Sequence, residues 1–246
     1  MTPLQALGLT GLLLGVLGGL DGYLRATRRA WQARDIHPLR SWPTVRTTQA
    51  VAALACGGVV AVQVGVWEAV GVTALAWLAV LAVYTDLGSY RIPWDACWVA
   101  TATAALASIP GIWLADSKPA ALLSSGTALL FLVAIPLGVS LLLGRALGLS
   151  DIRLLLTVAV ATGWWVDPTL LIYGLMGASI PQLIARALAP RLGWGRMAVA
   201  PSGAVRREMP FAPAIVCALA LAIGASVATQ ATACQTWEPG HVCAQA

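Results

Sequence analysis

Long apolar runs separated by short polar segments make up most of the chain as far as about residue 230. The runs match the roughly 20 residues that a helix needs to cross a bilayer, and none shows the alternation typical of a transmembrane β-strand. The pattern therefore predicts about eight transmembrane helices in an all-α polytopic membrane protein. The predicted spans are residues 4–21, 47–66, 67–85, 94–114, 120–143, 151–166, 168–188 and 211–230.

Composition supports this fold class. Hydrophobic residues make up 59% of the 246 residues and charged residues only 10%, whereas a soluble domain carries roughly 25% charged residues. The first apolar run has no basic residue before it, unlike a secretory signal peptide, so we expect it to be retained as a span.

The basic residues are concentrated in polar segments that alternate with the predicted spans. Fourteen of the 15 lie at Arg25–Arg46, at Arg91, at Arg145 with Arg153, and at Arg186–Arg207. The positive-inside rule assigns these segments to the cytoplasmic side of the cell membrane and both termini to the outside. A nucleic-acid partner is not expected, because the basic clusters lie between apolar spans rather than on one face with interleaved aromatics.

We expect one integral-membrane domain over residues 1–246, with three polar segments of interest. Residues 22–46 form a basic cytoplasmic loop. Residues 189–210, rich in proline and glycine, form a loop without a stable helix that either gates access to a site or only tethers two spans. Residues 231–246 form an external tail, in which Cys234 and Cys243 could form a disulfide. There is no CxxC pair, and no metal or cofactor is expected.

Two of the ten acidic residues have settings that call for an explanation. Asp86, in AVYTDLGSYRIPWD, and Asp151, in GRALGLSDIRLL, both lie at cytoplasmic span edges. A helix cap by Ser150 or Asp151 explains one of them structurally, and Asp95 fits a helix N-terminal charge. Asp86 would oppose the dipole at the end of its own helix. A pair of aspartates at one depth is what an aspartyl protease needs, with one acting as base and the other as acid.

These motifs resemble those of the type IV prepilin peptidases, a family of intramembrane aspartyl proteases. Asp86 with Gly88, Ile92 and Pro93 is similar to the first family signature. GLSD with the following basic residue resembles the GxGD motif, and MPFAP resembles the opening of the last family helix. The motifs occur in the family's order within residues 80–225, which we take as the peptidase core.

The resemblance implies a catalytic pair, Asp86 and Asp151, that removes the leader peptide of a pilin-like membrane protein at the cytoplasmic face. The residues that support the motifs are Gly88, Ile92, Pro93, Gly148, Ser150, Arg153, Pro210 and Phe211. Trp94, Ser150 and Arg153 stand where the family has Asn, Gly and Lys. The tetracysteine segment of many bacterial members is absent, so the chain resembles the short members that only cleave.

Other classes fit the sequence less well. No HExxH motif is present, and both histidines, His37 and His241, lie in polar segments rather than in spans. The alternative function is a small transporter or proton relay that uses the paired aspartates, and it predicts carboxylates near the bilayer midplane. A non-catalytic scaffold would be favoured if the pair were far apart. Within the pair, we expect Asp151 to be the carboxylate and Asp86 the protonated partner. The oligomeric state stays open.

Overall fold

The structure, a computed structural model, describes residues 3–142, 149–192, 196–199, 205–208, 210 and 212–235. The elements within these ranges are α1 (Pro3–Ala33), α2 (Trp42–Gln63), α3 (Val66–Ser89), α4 (Trp94–Leu114), α5 (Lys118–Leu129), a π-helical turn (Leu130–Ala134), α6 (Ile135–Leu142), α7 (Leu149–Thr162), α8 (Pro168–Leu192), β1 (Arg196–Val199), β2 (Val205–Glu208) and α9 (Ala212–Gln235).

Every predicted span coincides with a helix, and within the described ranges six helices are long and apolar enough to cross a membrane. These are α1 to α4, the continuous helix Lys118–Leu142 and α9. Six of the eight predicted spans are therefore confirmed as helices of sufficient length and apolarity. Of the two other predicted spans, α7 has only 14 residues, whereas α8 has 25. Among the residues of α8 whose side chains are described, the apolar helix is Pro168–Gly177.

The predicted basic loop at 22–46 is wrong for most of its length. The first helix continues to Ala33, α2 begins at Trp42, and the connection comprises only residues 34–41. The reason is an amphipathic extension of α1. Leu24 and Trp31 are buried, while the arginines between them, Arg25, Arg28 and Arg29, are exposed. A helix with one apolar stripe remains stable after the fully apolar span has ended.

The central helix of the bundle is α3. In its most apolar window 61% of the residues are buried, against 33% or less in the other five spans. Small residues allow close helix packing around it. A Cβ on Gly57 of α2 would overlap the Thr73 side chain, and a Cβ on Gly71 would lie 3.1 Å from the Ala161 carbonyl oxygen of α7. Close backbone approach through small residues is how helices associate in lipid.

The segment 189–210 also differs from the prediction. Helix α8 passes through Pro190 and ends at Leu192, and an antiparallel hairpin follows, in which Arg196 pairs with Glu208 and Val199 with Val205. The expectation of a loop without a stable helix was therefore wrong as far as Leu192, and the strands that follow were not foreseen. Strand pairing satisfies the backbone groups that a coil would leave to solvent, and the all-α class holds apart from this hairpin.

Candidate functional site

The C-terminal end of α3 and the N-terminal ends of α4, α7 and α9 meet at one end of the bundle. We call it the basic end, because Arg34, Arg46, Arg91 and Arg153 lie there. The Arg91 guanidinium donates to the Arg34 carbonyl (2.8 Å), and Arg46 of α2 donates to Asp21 of α1 (2.7 Å). Asp21 therefore belongs to a helix and joins α1 to α2 through Arg46.

Asp86 lies in the last turn of α3, and its residue is only 7% exposed. Its Oδ2 accepts a hydrogen bond from the backbone N–H of Ala212, the first residue of α9 (2.9 Å). A carboxylate at a helix N-terminus satisfies one of the unpaired amides there and is stabilised by the helix dipole. Asp86 therefore faces two helix ends of opposite polarity: the C-terminal end of its own helix and the N-terminal end of α9.

This contact removes the basis for treating Asp86 as the protonated partner of the pair. That expectation considered only α3, whose C-terminal end disfavours an anion. With Ala212 donating to it, Asp86 has the same kind of support as Asp151, which lies in the first turn of α7. Each of the two carboxyl groups therefore lies next to the N-terminus of a helix, α9 for Asp86 and α7 for Asp151.

Gly88 allows a close backbone approach that the sequence did not reveal. It belongs to α3, and a Cβ there would overlap the His37 carbonyl and lie 2.6 Å from the Leu39 nitrogen. The Leu39 N–H also donates to the Tyr84 carbonyl (2.8 Å). The connection 34–41 is thus packed onto the last turns of α3, next to Asp86.

The segment DLGSYRIP, which lies between two predicted spans, is therefore helical in its first half. After Ser89, Tyr90 takes the left-handed conformation (φ 57°), and its N–H donates to the Asp86 carbonyl (2.9 Å). Ile92 is buried, and Pro93 directly precedes α4, as expected for the start of that span. The turn between α3 and α4 consists of residues 90–93 alone.

Asp151 and Ser150 are half-buried in the first turn of α7. Arg153, in the same turn, places its guanidinium over the Trp94 ring of α4, 5.8 Å from the centroid. Thr157 and Thr101 share a hydrogen bond between α7 and α4 (2.7 Å). These contacts fix α7 against α4, which runs in the same direction.

The depth of the two aspartates follows from the packing of α3 against α7. The helices are antiparallel, with Gly71 opposite Ala161. Asp86 lies about 22 Å along its helix from that contact and Asp151 about 15 Å, at 1.5 Å per residue. Both are at the basic end, and Asp86 lies about 7 Å further toward that end than Asp151 does. The expectation of equal depth holds only to within this offset.

A third carboxylate, Asp95, belongs to the same end of the bundle. Both of its oxygens accept from the indole nitrogen of Trp31 (2.8 and 3.0 Å), and Oδ1 also accepts from the Ala96 N–H (3.2 Å). The expected helix N-terminal charge is therefore confirmed, but the partner in α1 was missed. A tryptophan within the arginine-rich segment was the available signal, since a buried indole usually needs an acceptor.

Asp95 and Asp151 also act electrostatically, together with Arg153, on the buried thiol of Cys97. The register set by Thr101 and Thr157 places Asp95 and Asp151 at nearly the same level on parallel helices. Asp95 and Asp151 therefore lie at the same level of the basic end, where the Arg153 guanidinium lies over the exposed Trp94 ring.

The remaining site predictions have mixed outcomes. Gly148, Phe211 and Cys243 lie outside the described residues, so the predicted disulfide with Cys234 also falls outside them. Pro210 is half-buried, two residues before Ala212. Among the described residues, no group of three or more histidine, cysteine or acidic side chains is arranged to hold a metal ion.

Comparison of the chain with protein-family models, with curated proteins and with solved structures found no match. The site is therefore interpreted from its own chemistry. It consists of one buried and one half-buried aspartate on packed helices, each next to a helix N-terminus, at an end of the bundle rich in arginine.

Proposed function

We propose that the protein is a membrane aspartyl endopeptidase that removes the basic leader peptide of type IV pilin-like precursors. The observation that supports it most directly is the position of Asp86, buried at the end of α3 and bound to the first amide of α9. An ionisable group at this depth in a membrane bundle is unusual without a functional role. Asp151 lies at the same end on a helix packed against α3.

The proposed chemistry needs no cofactor. One carboxylate removes a proton from a water molecule, which attacks the scissile carbonyl carbon, while the other, as a carboxylic acid, protonates the carbonyl oxygen. Collapse of the intermediate breaks the C–N bond, and the leaving nitrogen takes up a proton.

The position of the pair favours a peptidase over the alternative of a transporter. A relay across the membrane needs carboxylates near the midplane, whereas Asp86 and Asp151 both lie in end turns of their helices. In the proposed orientation the basic end faces the cytoplasm at the cell membrane, as the positive-inside rule predicts. The substrate's own helix would then lie in the bilayer, with its cleavage site at this face.

The test replaces each aspartate by asparagine. Asp86→Asn keeps an oxygen that can accept from Ala212 and so preserves the helix cap, but it cannot exchange a proton. We expect Asp86→Asn and Asp151→Asn each to lower cleavage of a pilin-like precursor in membranes by at least about 10³-fold, within the range of general acid–base catalysis. Membrane insertion should be unchanged.

Asp95→Asn is the matched control, since its amide oxygen can still accept from the Trp31 indole. We expect it to retain most of the activity. Cleavage at the wild-type rate by either Asp86→Asn or Asp151→Asn would refute the catalytic assignment.

A further inference from the structure

A groove of about 700 Å³ runs between α2, α3 and α9. Its walls are almost entirely apolar and consist largely of small side chains, with Ala52 and Cys56 on α2, Ala76 and Val80 on α3, and Ala220 and Gly224 on α9. The groove can be reached from outside the bundle, because Cys56, Ala220 and Gly224 are exposed.

The groove follows the helix axes. On α9 it extends from Val216 to Ala228, about 18 Å of helix, which is more than half of the roughly 30 Å of bilayer hydrocarbon. A molecule bound in the groove would therefore run along the membrane normal, parallel to the helices, rather than parallel to the membrane surface. The polar exception in the walls is Gln63, at the end of α2 remote from the basic end.

The end of the groove points to the candidate catalytic pair. Val216 is one turn beyond Ala212, whose N–H binds Asp86. On the opposite wall Val80 precedes Asp86 by six residues, about 9 Å of helix. An occupant that entered the groove and continued toward the basic end would arrive at Asp86.

Its dimensions fit a single helix. An α-helix about 10 Å wide and 18 Å long occupies roughly 1,400 Å³, so a groove of about 700 Å³ would take half of its cross-section and leave the other half to lipid. Walls of alanine, glycine and cysteine allow a second helix to approach closely, which is the main source of helix association in a bilayer.

From this geometry we infer that the groove binds the hydrophobic helix of the pilin-like substrate and presents the residues that precede this helix to Asp86. The inference rests on the proposed function and adds to it the surface that recognises the substrate. Selection would depend on shape and on an apolar helix of small residues, because the walls offer almost no polar partners.

Two native cysteines allow a matched test. Cys56 lines the groove, while Cys217 is exposed on α9 and does not line it. Two variants would each keep one of these thiols and replace the other cysteines, both with Asp151→Asn so that the substrate is not consumed. In lipid vesicles, the rate of labelling by a lipid-soluble maleimide would be measured with and without a precursor that has a basic leader and one apolar helix.

Precursor at ten times its Kd should slow the labelling of Cys56 about tenfold, as expected from site occupancy, and leave that of Cys217 unchanged. Equal rates for Cys56 with and without precursor, or equal protection of both thiols, would overturn the inference. The labelling rates of Cys56 and Cys217 can be measured and interpreted whether or not the precursor is cleaved. Protection of Cys56 together with failure of the wild-type protein to cleave would reject the peptidase and keep the groove as a helix-binding site.

A second arm uses the active protein. Ala220→Leu fills the groove, and Cys217→Leu adds a similar side chain to α9 outside it. We expect Ala220→Leu to raise KM for the helix-bearing precursor about tenfold, which corresponds to about 1.4 kcal/mol. Cleavage of a leader peptide without the helix should not change. An unchanged KM for the precursor would contradict the proposed site.

Discussion

Asp86 shows how a residue's role depends on contacts that are remote in sequence. Read along its own helix, it is a carboxylate at an unfavourable end. Its Oδ2 nevertheless accepts a hydrogen bond from Ala212, 126 residues away. Asp95 shows the same dependence, since its main partner is Trp31, 64 residues earlier. Both residues could be picked from the sequence as unusual, but their partners are set by helix packing.

Asp167 provides a residue-level test outside the spans. It directly precedes α8 and accepts hydrogen bonds from the Thr169 hydroxyl (2.7 Å) and the Thr169 N–H (2.8 Å). The Thr169 hydroxyl, and then its backbone amide, hold the pKa of Asp167 below its ordinary value of 3.8. A carboxyl with a lowered pKa in the folded state stabilises that state above the unfolded value, and the contribution disappears as pH falls through the folded value.

We therefore expect wild-type protein in detergent to lose about 1 kcal/mol or less, as for an exposed helix cap, between pH 5 and pH 2 relative to Asp167→Asn. Asparagine keeps the acceptor and does not titrate. The measurement is the difference in thermal midpoint between the two proteins at each pH, which cancels the effect of the other acidic groups. If the thermal midpoints of wild-type protein and Asp167→Asn changed equally with pH, the Asp167 carboxyl would contribute nothing to the pH dependence of stability, contrary to this prediction.

At the scale of elements, the apolar runs predicted the location of every helix, because a helix in hydrocarbon must satisfy its own backbone. The ends were less predictable. Helix α1 extends past its apolar run because Leu24 and Trp31 pack inward, and α3 extends to Ser89. The hairpin of β1 and β2 was missed because the prolines and glycines of residues 189–210 were taken only as evidence against a stable helix. The motif positions could be found from the sequence, but the groove between α2, α3 and α9 could not.

Two adjacent glycines test how tightly α2 packs on α3. A Cβ on Gly57 would overlap the Thr73 side chain and lie 3.3 Å from the Ala69 carbonyl oxygen, whereas a Cβ on Gly58 would have nothing within 4 Å. We expect Gly57→Ala to lower the free energy of unfolding by about 1–3 kcal/mol through overpacking.

Gly58→Ala should be neutral or stabilising by up to about 1 kcal/mol, because alanine is the better helix former. Denaturation of both variants in the same detergent, followed by circular dichroism, gives the comparison. Equal stability of the two would mean that α2 and α3 are packed less tightly than described.

At the scale of the whole molecule, contacts at the basic end connect elements that are distant in the chain. Asp21 joins α1 to α2 through Arg46, Trp31 joins α1 to α4 through Asp95, and Ala212 joins α9 to α3. The opposite end carries Lys118, which lies over the Trp113 ring, and Asp167. The asymmetry of charge along the bundle is what a positive-inside protein requires.

Orientation and the number of spans can be tested together with single cysteines on exposed positions. Ser41→Cys lies at the basic end, Ser117→Cys follows α4, and Thr169→Cys follows α7. With native cysteines replaced, a membrane-impermeant maleimide should label Ser117→Cys and Thr169→Cys in intact cells, but Ser41→Cys only after the membrane is opened.

Labelling of Thr169→Cys from outside would show that the short helix α7 crosses the bilayer, as eight spans require. Its protection, with Ser117→Cys still labelled, would leave as spans the six helices found long and apolar enough to cross a membrane. Labelling of Ser41→Cys in intact cells would reverse the orientation and place Asp86 on the wrong face for the proposed substrate.

The bond between Ala212 and Asp86 also has a consequence for biosynthesis. Helix α9 follows the other described helices in the chain, so Asp86 lacks its backbone donor until the ribosome has passed residue 212. A nascent chain that already contains Asp86 and Asp151 therefore still lacks the amide that positions one of them, along with one wall of the groove. The site is completed only when α9 has emerged and packed against α3, which delays any hydrolytic activity until that helix has been inserted.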